Sequence, residues 1–140
     1  MGPLVIDASV VFRWVFREPD RQHALELRER WVEGTVELIA PRLLVAEIAS
    51  ALCKRVRRKH LSAEEAAKAF SLLLENSPRL FDDDVPVALT LALRHQMSLW
   101  DAVYLALAVE RRCDLITADR RLYDAASRAY PHVYLVGNSS

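Results

Sequence analysis

The chain has 140 residues, 52% of them hydrophobic, with 19 basic and 19 acidic side chains and a formal charge of zero, a length that buries roughly two thirds of its unfolded surface as one domain. Neutrality excludes a whole-protein field that would draw the molecule to nucleic acid or to a membrane, so an anionic partner must be held by a local patch. Gly2, Gly34 and Gly137 are too few for a phosphate-cradling loop or a dinucleotide fingerprint, and Cys53 and Cys113 lie outside any CxxC spacing, which argues against a disulfide framework and a thiolate zinc site.

Leu4-Val5-Ile6 followed by Asp7 is a short apolar run ending on an acid, after which Val10, Val11, Trp14 and Val15 return at helical spacing. A strand therefore feeds a helix. Pro19-Asp20 punctuates, a second helix buries Ala24, Leu27, Trp31 and Val32 and stops near Gly34, and Val36 to Ala40 reads as the second strand. Pro41 suits a first helical position, and the helix it opens runs to about Arg58 with an apolar stripe through Leu44, Ile48, Ala51 and Leu52. Glu47 sits beside that stripe without an i,i+4 cation, either as a solvated helix edge or as an acid with a purpose. Lys54, Arg55, Arg57, Arg58 and Lys59 close the helix, where cations complement its dipole, and read as a solvated end.

Ser62 with Glu65 forms a capping box, and the helix it opens carries Ala66, Ala69, Phe70, Leu73 and Leu74 on its apolar face. The hairpin so formed around Leu61 can pack on the domain or on a second chain. Leu80-Phe81 reads as a third strand at a sheet edge, and Asp82, Asp83 and Asp84 read as solvated and capping acids ahead of a helix that starts at Val85-Pro86 and includes Leu89, Leu91, Ala92 and Leu93. The next helix, Ser98 to Val109, is apolar on nearly every side and hence buried, with Asp101 in its first turn. Leu115-Ile116-Thr117 follows as a buried strand, then Asp119, a short helix from Arg121 to Arg128, and a last strand from Val133 to Val136. Ser98 with Asp101 fits a capping box and Asp119 fits a helix cap, so capping accounts for both acids as well as a functional role does.

Strands alternating with helices predict a parallel sheet covered on both faces, and the absence of a linker, repeat or low-complexity segment predicts a single domain over residues 1–140. In such a sheet strand C-ends and helix N-ends share the rim where ligands bind. Asp7 and Asp119 end strands, Asp101 starts a helix, and Glu47 lies roughly 9 Å from the start of its own. Four acids on one rim repel one another unless a cation neutralises them. Oxygen ligands without a cluster drawn from His23, His60, His95 and His132 favour magnesium or manganese over zinc, and a water acidified by such a metal can attack a phosphodiester. Thr117 stands two residues before Asp119 on one strand face and can orient a ligand or a water; Ser9, two residues after Asp7, can act likewise or simply begin a helix. No uncharged run approaches the roughly 20 residues of a membrane helix, and two scattered cysteines suit a reducing compartment, so a soluble cytoplasmic protein is expected.

The segments Val5-Ile6-Asp7-Ala8-Ser9, Glu47 within its helix, Trp100-Asp101-Ala102-Val103-Tyr104-Leu105-Ala106-Leu107-Ala108 and Leu115-Ile116-Thr117-Ala118-Asp119-Arg120-Arg121-Leu122 together resemble PIN-domain proteins, in particular the VapC toxins of toxin–antitoxin systems. Trp100 is a small departure, since many relatives carry tyrosine there. The resemblance covers essentially the whole chain and implies a three-layer α/β/α domain with a five-stranded parallel sheet and a magnesium- or manganese-dependent endoribonuclease. It implies an acidic pocket of Asp7, Glu47, Asp101 and Asp119, with Asp7, Asp101 and Asp119 holding the metal and Glu47 binding it or orienting the attacking water. It also implies a homodimer and a small antitoxin whose tail enters the active-site groove. RNA is then steered by local cations, Arg120 and Arg121 first and Arg13 or Arg17 next. Two other readings stand beside this one. A haloacid-dehalogenase-like phosphatase requires an aspartate where Ser9 stands and a late lysine that this chain lacks; an interaction module that has lost catalysis would not need all four acids.

Overall fold

The computed structural model describes residues 2–138. Its elements follow in the order β1 (Pro3–Ile6), α1 (Ala8–Val15), α2 (Arg21–Val32), β2 (Glu37–Pro41), α3 (Leu43–Arg57), α4 (Ala63–Glu75), β3 (Arg79–Phe81), α5 (Val85–His95), α6 (Leu99–Arg111), β4 (Asp114–Thr117), α7 (Arg120–Ser127) and β5 (Val133–Leu135). The five strands form one all-parallel sheet in the order β3-β2-β1-β4-β5. Strand order reverses between β1 and β4, which places a topological switch point at their C-terminal ends.

Alternation along each strand sorts the core into two layers. Val5, Ile39 and Leu115 face α5, α6 and α7, while Ile6, Leu38, Ala40 and Ile116 face α1 to α4. Both faces are covered, giving the α/β/α layering. Helix α6 is the spine of its layer, with every residue from Asp101 to Ala108 buried. On the other side Trp14 stacks on Trp31 at 5.7 Å between ring centroids and donates its indole N–H to the Ala24 carbonyl, locking α1 to α2. Arg55, expected at a solvated helix end, instead ties α3 to the loop after α1. Its Nη2 lies 2.7 Å from Glu18 Oε1 and its guanidinium 4.1 Å from the Phe16 ring centroid.

Two further local expectations are corrected. Pro41 does not open α3 but ends β2 opposite Phe81, at the last paired position of the strand, where proline is tolerated. The first N–H of α3, at Leu43, is satisfied instead by Asp83 Oδ1 at 3.0 Å, contributed by the loop after β3. Val32 and Leu74, expected on the buried faces of their helices, face solvent instead, because consecutive apolar residues cannot all share one stripe of a 3.6-residue helix. The neighbouring acids are used locally: Asp84 caps α5 through the Val87 N–H, and Asp82 pairs with Arg42 at the surface.

Candidate active site

The switch point is where the acids meet. Asp7 follows β1 and caps α1, Asp119 follows β4 and caps α7, and Asp101 stands in the first turn of α6. Three positive helix ends thus face carboxylates, and capping is part of what each acid does. Capping does not require burial, yet Asp7 and Asp101 are each only 5% exposed.

Asp7 is held from both sides. Its Oδ1 accepts from Ser9 Oγ at 2.5 Å and from the Val10 N–H at 3.4 Å, and its Oδ2 accepts from Thr117 Oγ1 at 2.7 Å. Ser9 Oγ also accepts the Ala118 N–H, and Thr117 Oγ1 accepts the Asp119 N–H, so the two hydroxyls join the ends of β1 and β4 into one network. Both supporting residues expected from the sequence are therefore in place around Asp7. Burial pushes the Asp7 carboxyl up to about 6 despite these hydrogen bonds, with the nearby Asp119 charge adding to the rise.

Glu47 enters from α3 and is neither solvated nor alone. Its Oε1 accepts from the hydroxyl of Tyr104, a fully buried residue of α6, at 2.5 Å. Burial raises the Glu47 carboxyl above its ordinary range; the Tyr104 hydrogen bond opposes this, and the charges of Asp101 and Asp119 add to it. Tyr104 itself is raised, by burial and by the Glu47 and Asp7 charges beside it. Asp119 thus acts on both Asp7 and Glu47, and Asp101 on Glu47, which links the four carboxylates electrostatically. Tyr104 was not singled out from the sequence, though a signal existed: it lies one helical turn after Asp101, and a buried hydroxyl on an otherwise apolar helix must find a partner.

Arg121 completes the cluster. Its Nη1 donates to Asp101 Oδ2 at 2.7 Å, while Nη2 lies 3.4 Å from both Asp101 Oδ1 and Asp119 Oδ2. The Asp101 contact accounts for the reciprocal half of the Ser98 capping box being absent: Ser98 Oγ accepts the Asp101 N–H, but the Asp101 carboxylate turns to the guanidinium. Arg120 leans over the Tyr123 ring and is exposed. Arg13, expected to meet RNA, is committed to the protein. Its Nε donates to the Pro19 carbonyl and its Nη1 to the Ser9 carbonyl, it pairs with Glu18 at 3.2 Å, and its side chain is 14% exposed.

Among the described residues no three His, Cys, Asp or Glu side chains converge closely enough to hold one ion as they stand. Donor chemistry nevertheless fits a hard divalent cation, because the four acids supply only oxygen and the raised Asp7 and Glu47 carboxyls would be relieved by positive charge. An apolar groove lies elsewhere, a space of about 490 Å³ between α3 and α4 lined mainly by side chains such as Leu52, Val56 and Phe70.

Such a sheet order with acids at its switch point defines a class. The family profile of the PIN domain matches residues 4–128, and the chain belongs to the PIN domain family. Ribonuclease VapC3 of Pyrobaculum aerophilum is 33% identical over 123 residues, covering 85% of this chain and 91% of the relative. Ribonuclease VapC9 of Mycobacterium tuberculosis is 35% identical over 132 residues, covering 91% and 94%. The crystal structure of PAE2754 from Pyrobaculum aerophilum superposes with a TM-score of 0.74 over 97% of this chain and 85% of that one, at 19% identity, a likeness of fold.

Proposed function

We propose that this chain is a divalent-metal-dependent endoribonuclease of the VapC kind, the toxin of a toxin–antitoxin pair. The carrying observation is that two buried aspartates, Asp7 and Asp101, are held at the sheet switch point beside Glu47 and Asp119. Asp7, Asp101 and Asp119 would hold magnesium or manganese. When bound, the ion supplies charge for the scissile phosphate and acidifies a water. Glu47 is fixed through Oε1 by Tyr104, which leaves Oε2 to accept a proton from the attacking water. Ser9 and Thr117 fix the Asp7 carboxylate so that its lone pairs keep one direction. Arg120 and Arg121 at the start of α7 offer the phosphate contacts that position an RNA strand without reading its sequence.

The relation to VapC proteins supports a cognate antitoxin that covers this pocket. Two free cysteines suit a reducing, cytoplasmic setting, and no helix among the described residues is long and apolar enough to cross a membrane. Self-association is supported by Val85, Leu89 and Leu93 on α5 and by Trp100, all exposed. The test is incubation of purified chain, freed of any co-purified inhibitor, with a mixed RNA pool in magnesium, manganese or EDTA. Internal cuts in the metal lanes alone are expected; equal cutting in EDTA would overturn the metal requirement.

A further inference from the structure

Three facts about Arg121 belong together. It reaches into the acid cluster and bonds both Asp101 and Asp119, the two acids whose carboxylates it separates. It is the sole cation recorded against the Asp101 carboxylate among the described residues, which is otherwise buried. Yet its own side chain is 67% exposed, so the arm lies along the mouth of the pocket with water on its outer side. A buried carboxylate without a counter-charge is costly, and an exposed arginine that supplies the charge is cheap to move.

Building on the metal reading above, we infer that Arg121 is an internal counter-ion that shuts the acid pocket, and that a divalent cation enters only as the guanidinium leaves Asp101 and Asp119. The arginine and the ion satisfy the same oxygens. This accounts for a cluster whose chemistry suits a hard cation although no three of its acids converge on one point: the guanidinium occupies the space between two of them. It also keeps the folded protein stable while it holds no metal. Because apparent affinity is the intrinsic affinity multiplied by the fraction of molecules in the open form, an arm closed about nine times in ten weakens metal binding about tenfold.

The test is a manganese titration of the whole chain by calorimetry, comparing wild type with Arg121→Met, which keeps the stem and removes the fork. Arg128→Met, at the exposed far end of α7, removes the same charge away from the pocket, and Asp101→Asn verifies that the titration reads this site. Arg121→Met should bind manganese about tenfold more tightly and Arg128→Met like wild type. Side-chain nitrogen NMR of wild type gives a second readout that needs no variant to fold: saturation with magnesium should release the Arg121 guanidinium and restore its free rotation. Manganese binding that Arg121→Met does not tighten, or Arg121 signals unmoved by saturating magnesium, would overturn the inference and leave the metal site standing. No manganese binding by wild type or Arg121→Met would overturn both.

Discussion

At the scale of single residues, the site is a set of carboxylates whose burial is compensated in different ways. Asp7 relies on hydroxyl and amide donors, which are not enough to keep its carboxyl in the ordinary range; it titrates at about 6 against 3.8 for a free side chain. Between those two values the folded chain holds a proton that the unfolded chain has released. Without metal, the contribution of Asp7 to stability therefore falls as pH rises from about 4 through about 6 and is level above, a loss on the order of 3 kcal/mol. Asp7→Asn should flatten this dependence and, in EDTA at pH 7, raise stability by about 1–2 kcal/mol after one lost acceptor is deducted. Denaturant melts at pH 4 and pH 7 measure it, and a variant with the wild-type slope would show that another group titrates. Glu47 relies on one buried phenol. Tyr104→Phe should lower stability by about 1–2 kcal/mol and slow RNA cleavage about tenfold, since the carboxylate is kept but no longer aimed. Unchanged cleavage would mean that Glu47 orients itself.

At the scale of elements, neighbouring acids of one type do unlike work according to where the chain turns. Asp83 caps α3 across the sheet edge, whereas Asp82 is 91% exposed in a surface pair. Asp83→Ala should cost about 1 kcal/mol and Asp82→Ala under about 0.5 kcal/mol, read from paired denaturation curves. Equal costs would remove the cap argument. Elements were legible in the sequence where periodicity and punctuation agreed: β1, β4, α6 and the Ser62 capping box fall where their residues predict. The cap on α3 was not, because its donor and acceptor are 40 positions apart. Pro41 misled because a strand end tolerates proline as well as a helix start does. Tyr104 and Arg121 lay in plain view, but their partners come from other elements, and spacing along one helix is silent about contacts between helices.

At the scale of the whole molecule, topology is what gathers acids from four separate segments. A reversal of strand order between β1 and β4 makes one rim, and the alternation of strands and helices was enough to place Asp7, Glu47, Asp101 and Asp119 on it. What the sequence left hidden is the state of that rim, an acid pocket with an arginine drawn across it. Leu89 and Leu93 are exposed on the outer face of α5, where the proposed self-association would use them. Leu89→Asp combined with Leu93→Asp should convert a dimer to a monomer in sedimentation at micromolar concentration without lowering the melting temperature. A wild-type chain that sediments as a monomer would contradict this surface as a dimer interface.

In the proposed function four carboxylates act as one metal-dependent cleavage centre. The decisive measurement is the rate of RNA cleavage in magnesium for wild type beside Asp7→Asn, Glu47→Gln, Asp101→Asn and Asp119→Asn, each first matched to wild type by circular dichroism. Each variant is predicted to lose on the order of a hundredfold or more, as for groups that act on one transition state. Wild-type cleavage by a folded Asp7→Asn or Asp101→Asn variant would mean that these acids do not form the cleavage centre.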